Sequence, residues 1–232
     1  MLSSSMSKIS IIAVVMNRNA RIEYAVGTWL ASRVDEIVLV DWSSSAPPSL
    51  PKNSRLKVLR VDGESEFILT QALNLAADHA TGEILIKLDA DYCVETDFLD
   101  RIPLRDGVFC RGCNKGMDPD ENARSLNGLL VVSRESFLSV GGYKEGIVGC
   151  GWDDDDLYAR LSRAGLSPIK LGEEVGISHL PHPRSLRTAN MPNGNYKAMR
   201  KRNRELAGGE QWTRNSKRTQ WIQKAWKFRR VT

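Results

Sequence analysis

The sequence predicts an α/β fold in which helices cover an open, mostly parallel sheet. Along residues 9–88, short apolar runs of strand length alternate with longer segments whose apolar residues have helical spacing. Three of these runs are followed at once by polar residues, as happens where parallel strands end at a ligand-binding edge. The composition agrees, because 41% hydrophobic and 26% charged residues over 232 positions suffice for a globular domain with a sizeable core.

Periodicity places the individual elements. Four apolar runs are predicted as strands: Ile9–Val15, Ile37–Val40, Leu56–Val61 and Ile84–Leu88. Two amphipathic segments between them are predicted as helices: Ile22–Ala31 and Phe67–His79. The second half is less regular, and its predicted elements are a strand at Gly128–Val132, helices at Glu135–Val140 and Asp156–Ala164, a strand at Pro168–Leu171 and another from Ile177.

Charge divides the chain near Tyr196. Residues 197–232 hold 12 Lys and Arg but 2 Asp and Glu, a net charge of +10, whereas residues 1–196 carry a net charge of −5. We predict a main domain at 1–196 and a basic, aromatic-containing helical tail at 197–232, because Trp221, Ala225 and Phe228 share one helical face. Such a tail can pack on the domain, lie on an anionic membrane surface or bind nucleic acid, although no recognised nucleic-acid motif accompanies the charge.

The sequence also bears on the cellular compartment. No apolar run approaches the roughly 20 residues of a membrane-spanning helix, and the run at Ile9–Met16 is too short for a signal peptide. We therefore expect a cytoplasmic protein whose basic tail can reach the inner membrane face. Four cysteines are few for a disulfide scaffold, and the lone pair Cys110 and Cys113 is compatible with a zinc half-site, a redox pair or free thiols, of which free thiols are favoured.

Two carboxylates, Asp89 and Asp91, follow the fourth predicted strand with Ala90 between them. Mg²⁺ and Mn²⁺ prefer oxygen ligands and commonly bridge carboxylates to substrate phosphates. A solvated turn, where Asp is frequent, is the alternative explanation.

A second acidic feature is the run Asp153–Asp156, which follows glycines and Trp152. Four adjacent carboxylates repel one another, and helix capping accounts for one or two of them. A tryptophan can serve as a platform for a sugar ring, and a neighbouring carboxylate can act as a general base.

Two of the three histidines in the chain, His179 and His182, flank Leu180 and Pro181. Imidazole is a frequent metal ligand, and the neighbouring prolines exclude a helix and favour a rigid extended segment. A single ion held by Asp91 and one or both histidines would bring two distant stretches of chain together, and the acidic run would then face the acceptor.

These motifs, taken in order, resemble those of β-1,4-galactosyltransferases of glycosyltransferase family 7 and of family 2 enzymes such as chondroitin synthases. Residues 151–161 are similar to their acidic segment, and residues 88–91 are similar to their D-x-D motif. Residues 14–19 and 37–44 are similar to their nucleotide-binding turn and to the strand that ends in a uridine-contacting aspartate.

The resemblance implies a GT-A fold, a nucleoside-diphosphate sugar donor, Mn²⁺ or Mg²⁺, and transfer with inversion to a hydroxyl of a glycan or glycolipid. By position it implies that Asp91, His182 and His179 bind the metal and that Asp154 is the base. Asp153 replaces the family's Glu and one glycine is missing before the run, so Asp155 is a second candidate for the base. The donor site implied by the resemblance and by the strand ends comprises Asn17, Arg18, Asn19, Asp41, Asp89, Ala90 and Trp152.

Two other functions remain open. A sugar-phosphate nucleotidyltransferase uses a similar sheet and metal-binding aspartates, but its Gly-rich phosphate loop is missing at residues 16–20. A non-catalytic nucleotide- or carbohydrate-binding protein with the same fold is the other alternative.

Overall fold

A computed structural model describes residues 7–112, 126–149, 151–182, 196–207 and 218–231. Within these ranges, nine strands form the main sheet and two more form a small second sheet. The strands are β1 Ile9–Val15, β2 Glu36–Trp42, β3 Leu56–Val61, β4 Ile84–Lys87, β5 Tyr92–Val94, β6 Val108–Gly112, β7 Leu130–Ser133, β8 Ser167–Leu171, β9 Ile177–His179, β10 Trp221–Lys224 and β11 Lys227–Arg230. The helices are α1 Asn19–Ala31, α2 Leu69–His79, α3 Arg134–Ser139, α4 Asp153–Arg163 and α5 Tyr196–Ala207.

The main sheet has the order β10-β11-β3-β2-β1-β4-β7-β6-β8. Strands β11, β3, β2, β1 and β4 run parallel to one another, whereas β10 is antiparallel to β11 and β7 is antiparallel to both β4 and β6. The prediction of an open, mostly parallel sheet flanked by helices is therefore confirmed. All seven residues of β1 and of β2 are buried, which explains why these strands are continuous apolar runs rather than alternating ones.

The sheet has a hydrophobic cluster on each face. One cluster contains Trp29 of α1, and the other contains Leu73 of α2 and Leu157 of α4. The parallel strands β1, β2 and β4 end at the same edge, so their polar C-terminal residues are brought close together.

A short antiparallel sheet forms beside that edge. Strand β5 directly follows the D-x-D turn and pairs with β9, with Tyr92 opposite His179. The backbone N–H of Leu180 also donates to the carbonyl of Asp91 at 2.7 Å. This pairing brings the histidine segment to the end of β4, 90 positions earlier in the chain.

The C-terminal segment differs from its prediction. Helix α5 is present, but the helix predicted through Trp221 and Phe228 is wrong, because these residues form the β10–β11 hairpin, with Ala225 in its turn at a φ of 54°. Strand β11 extends the main sheet beside β3. Phe228 is buried next to His79, at 5.0 Å between ring centroids, and Trp221 contacts the ring of Trp42. A partner strand and a core contact decide this conformation, and helical periodicity detects neither.

Two further expectations concern cysteines and membrane spans. Cys93 and Cys110 are buried free thiols, while Cys113 and Cys150 lie outside the described residues. Within the described ranges no helix combines the length and the apolar character needed to cross a bilayer.

Candidate active site

The D-x-D turn places Asp91 beside both predicted histidines. His179 Nε2 lies 3.4 Å from Asp91 Oδ1, and His182 Nε2 lies 3.4 Å from Asp91 Oδ2. The side chains of Asp91, His179 and His182 are 2%, 8% and 5% exposed, so the group is shielded from bulk water. Burial alone would raise the pKa of Asp91, but His179, Arg18 and His182 outweigh it and lower that pKa.

The geometry of these three residues fits a metal ion. Their ligand atoms all lie within 4.8 Å of one another. Metal–ligand bonds of about 2.0–2.2 Å place adjacent ligand atoms about 3 Å apart and opposite ones about 4.4 Å apart. The observed spacing matches that range, and one carboxylate with two imidazoles is a suitable set for a divalent transition metal.

The turn after β1 lies at the same edge. Asn17 has a left-handed φ of 56°, and its Oδ1 accepts hydrogen bonds from the Ser45 N–H at 2.8 Å and the Ser45 hydroxyl at 3.1 Å. Arg18 Nη1 lies 3.3 Å from Asp91 Oδ2, and Asn19 donates to the Ala46 carbonyl at 2.9 Å. Arg18 therefore joins the metal group, whereas Asn17 and Asn19 shape the loop beside it.

Asp41 ends β2 at the same edge and is 1% exposed. Its Oδ2 pairs with Arg60 Nη1 at 2.5 Å, and its Oδ1 accepts from the Ser44 N–H at 3.2 Å. A contact with a nucleotide base stays a prediction for this residue, and the structure shows a carboxylate held by β3 and the following loop.

The acidic run begins α4 three residues earlier than predicted, at Asp153, after Trp152 in a left-handed conformation with φ 74°. All four aspartates therefore lie in the first turn, where the positive end of the helix dipole partly offsets their repulsion. Asp156 is buried and paired with Arg160 at 2.6 Å, whereas Asp155 is exposed.

Asp153 and Asp154 have the perturbed environments. Burial, then the charge of Asp154, raises the pKa of Asp153 to about 7. Burial also raises the pKa of Asp154, although Lys87 and the hydroxyl of Tyr143 oppose it. A carboxylate with a raised pKa that keeps partial solvent access, 23% for the Asp154 side chain, suits proton abstraction.

Lys87 is a further candidate functional residue, which the sequence motifs do not indicate. Its side chain is 2% exposed, and its Nζ lies 3.5 Å from Asp89 Oδ1 and 3.4 Å from Asp154 Oδ1. Burial alone would lower the pKa of Lys87, but Asp154, Asp89 and Asp153 raise it, so the ammonium stays charged. A lysine inside the apolar strand Ile84–Leu88 was the available signal, because a buried Lys needs charged partners.

Tyr143 and Gly128 complete the surroundings. The hydroxyl of Tyr143 donates to Asp154 Oδ1 at 3.0 Å, and burial raises the pKa of this phenol, which keeps it protonated. Asp89 lies directly against the backbone of Gly128, where an added Cβ would meet Asp89 Oδ2 at 2.0 Å. Lys87 contacts both Asp89 in the D-x-D turn and Asp154 at the start of α4, so it joins these two parts of the site.

Trp152 does not present an open ring face on both sides. The guanidinium carbon of Arg204, on α5, lies 5.6 Å from the centroid of its ring. Among the described residues, the predicted site residues that follow β1, β2 and β4 lie at one edge of the sheet. The ring of Trp152 is covered on one side by Arg204 of α5.

Similar solved structures define the class of fold. A complex of Drosophila β1,4-galactosyltransferase 7, a mutant with manganese, UDP-Gal and xylobiose, aligns with a TM-score of 0.64 and 15% identity over 93% of this chain and 85% of that one. A mannosyltransferase from Pyrobaculum calidifontis in complex with GDP-Man and Mn²⁺ aligns with a TM-score of 0.56 and 20% identity over 71% of this chain and 55% of that one. The chain has a GT-A fold.

Sequence comparisons give the family resemblance. Residues 10–102 match the model of glycosyl transferase family 2, and residues 112–189 match a model described as the N-terminal domain of galactosyltransferase. Chondroitin sulfate synthase 3 of Homo sapiens is 36% identical over 56 residues, 24% of this chain and 6% of the relative. β-1,4-Galactosyltransferase 1 of Bos taurus is 28% identical over 130 residues, 51% of this chain and 31% of the relative. The chain thus spans under a third of these curated relatives, and its predicted resemblance to family 2 and family 7 glycosyltransferases is confirmed.

Proposed function

We propose that this protein is a metal-dependent glycosyltransferase that moves a sugar from a nucleoside-diphosphate donor, a UDP-sugar, to a hydroxyl of a glycan or glycolipid. The observation that carries the proposal is the convergence of Asp91, His179 and His182 within 4.8 Å at the carboxyl edge of a GT-A sheet. A group of this kind, next to the predicted donor residues, is suited to a metal that bridges to a diphosphate.

Asp91, His179 and His182 would hold Mn²⁺ or Mg²⁺. When bound, the ion neutralises charge on the leaving diphosphate. Arg18 lies 3.3 Å from Asp91 and would add a second positive group beside the phosphates. The galactosyltransferase and mannosyltransferase structures described with manganese and a nucleotide sugar support this assignment.

Asp154 is the proposed general base. Lys87 and Tyr143 both contact its Oδ1 and anchor the carboxylate, while 23% of the side chain stays exposed, so an acceptor hydroxyl can reach it. The acceptor O–H proton would pass to Asp154 as the acceptor oxygen bonds to the anomeric carbon. The bond to the diphosphate breaks with its electron pair on the leaving group. Attack on the face opposite to the diphosphate inverts the anomeric centre.

Donor hydrolysis separates this proposal from its alternatives. Purified protein incubated with UDP-sugars and Mn²⁺ should release UDP slowly, and chelation by EDTA should stop the release. A nucleotidyltransferase would instead consume a sugar 1-phosphate and a nucleoside triphosphate and release pyrophosphate. Donor binding with no UDP release under any metal condition would favour the non-catalytic alternative and contradict the proposal.

The identity of the transferred sugar as a hexose stays a prediction. A cytoplasmic location and peripheral membrane contact also stay predictions. On the hairpin, Lys224, Lys227 and Arg229 are exposed together with Trp226 at 56%, a combination that is compatible with an anionic membrane surface.

A further inference from the structure

Helix α5 is fixed onto the glycine-containing loop that leads to Trp152. Asn203 is fully buried and donates from Nδ2 to the Val148 carbonyl at 2.9 Å and to the Gly151 carbonyl at 3.3 Å. Met199 packs so closely that a Cβ added to Gly149 would lie 2.2 Å from its sulfur. The face of α5 that carries Asn203 is therefore held in a defined position beside the start of α4.

That placement brings two arginines beside Trp152 and the loop that leads to the acidic run. Arg204 lies over the ring of Trp152 at 5.6 Å, and Arg200 lies over the ring of Tyr196 at 5.7 Å. Arg200 Nε is also 3.6 Å from a Cβ built on Gly151. Trp152 immediately precedes Asp153 and Asp154, so both guanidinium groups flank the segment that carries the proposed base.

Both arginines have donors to spare. They are exposed, and among the described residues neither forms an ion pair with a carboxylate, while Arg200 Nη1 donates one hydrogen bond to the Tyr196 hydroxyl at 3.5 Å. Stacking on a ring uses the flat face of a guanidinium and leaves its N–H edge available. An N–H edge held in this way matches the planar geometry of a carboxylate and the oxygens of a phosphate or sulfate.

We infer that the acceptor is an anionic glycan, and that Arg200 and Arg204 bind a carboxylate, phosphate or sulfate on it beside Trp152. This inference rests on the proposed function. It goes further by assigning the acceptor's charge, which none of the motifs specifies. The two guanidinium groups would also offset the repulsion between such an acceptor and the carboxylates of Asp153–Asp156.

Titration calorimetry in the presence of UDP and Mn²⁺ tests the inference. The probes are cellobiose, cellobiouronic acid and cellobiose 6′-phosphate, which share a size and differ in charge. We expect at least one acidic probe to bind about tenfold or more tightly than cellobiose, and this preference to shrink at high salt. The carboxylate and phosphate arms show which anion the site prefers.

Variants assign the effect to the two arginines. Arg204→Gln and Arg200→Gln should each weaken binding of the preferred acidic probe about tenfold and leave cellobiose unchanged. Lys201→Gln is the matched control, because Lys201 lies on the same helix, is 80% exposed and pairs with Glu205. Its affinities should equal those of the unmodified protein.

Two outcomes would overturn the inference. One is equal affinity for neutral and acidic probes, and the other is an equal loss for both probes in the arginine variants, which would show that the arginines only pack against the rings. UDP release measured without acceptor shows whether only the inference fails or the proposed function fails as well. If metal-dependent release persists while charge preference is missing, the inference fails and the proposed function stands, whereas loss of release in the unmodified protein removes both.

Discussion

At the scale of single residues, the four adjacent aspartates of α4 have four different surroundings. Asp156 is neutralised by Arg160, Asp155 is exposed, Asp153 is buried, and Asp154 alone combines an anchored oxygen with partial exposure. The sequence shows the run but does not single out Asp154, because its partner Lys87 lies 67 positions away in the chain.

Replacing the proposed base tests that ranking. In Asp154→Asn the amide cannot accept the acceptor proton, so we expect transfer to fall about 10²–10⁴-fold while the Kd for the donor stays within about twofold. Transfer is measured with radiolabelled donor and donor affinity by calorimetry. Asp155→Asn is the discriminating variant, and a larger loss of transfer there than in Asp154→Asn would move the base to Asp155.

Lys87 should set the working pH of the base. In Lys87→Met the ammonium beside Asp154 is lost, so the pKa of that carboxyl rises and the basic form is reached only at higher pH. We expect the acidic limb of the kcat profile to move upward by about one pH unit or more. Tyr143→Phe keeps the charge and removes one hydrogen bond, so its limb should move less. An unchanged limb in well-folded Lys87→Met protein would contradict this role.

The proposed metal ligands can be tested by a measurement that does not depend on turnover. Thermal melting with UDP and Mn²⁺ should show stabilisation of the unmodified protein, because a ligand that binds only the folded state raises its melting temperature. Asp91→Ala and His182→Ala should lose the Mn²⁺-dependent part of that shift. The variant Asp155→Asn changes an exposed residue outside this group and should keep the full Mn²⁺-dependent shift. A full shift in Asp91→Ala would place the ion elsewhere.

At the scale of elements, the predictions for β1 and β3 are confirmed, whereas the prediction for the C-terminal hairpin is wrong. The bounds of β1 and β3 match their predictions, since an apolar run bounded by polar residues is a local signal. The β10–β11 hairpin was missed because its conformation depends on the free edge of β3, which the spacing of Trp221 and Phe228 cannot show.

The packing of α5 on its loop can be tested at Gly149. Gly149→Ala adds a Cβ 2.2 Å from the sulfur of Met199 and also strains a φ of 82°, so we expect a loss of about 2–4 kcal/mol in unfolding free energy by urea denaturation. Gly107→Ala is the matched control, because its φ is 73° and nothing lies within 4 Å of the added Cβ. It should cost about 1 kcal/mol. Equal losses would show that the contact with Met199 contributes nothing.

At the scale of the whole molecule, one buried carboxylate at the amino end of β2 makes stability depend on pH. Burial alone would raise the pKa of Glu36, but hydrogen bonds from Lys57, Ser10 and Thr81 outweigh it and lower that pKa to about 2. Glu36 thereby connects β2 with the starts of β1 and β3 and with the segment that precedes β4.

The sign of its contribution follows from the lowered pKa. The unfolded chain binds the proton more readily than the folded one, so the stabilisation is complete above about pH 4.5 and is lost as pH falls toward 2. In Glu36→Gln, urea denaturation should show a loss of about 2–3 kcal/mol at pH 7 and a weaker dependence on pH between 4.5 and 2. The exposed Glu83→Gln variant should retain the full acid dependence, and an identical pH profile in both variants would contradict this role.

The sequence by itself determined the class of fold, the strands of the parallel half and the types of residue that carry the chemistry. Apolar periodicity and polar strand ends are properties of short segments, so they can be recognised without knowing the neighbours of each strand. The ordered motifs also sufficed for the resemblance to GT-A glycosyltransferases.

Tertiary structure alone decided which side chains meet. The antiparallel pairing of β5 with β9 brings His179 to Asp91, and Lys87 reaches Asp154 across 67 positions of sequence. It also placed Arg204 over the ring of Trp152 and Arg200 beside Gly151. Contacts of this kind arise from strand pairing and burial, which depend on the whole folded chain and leave no periodic signal in any one segment.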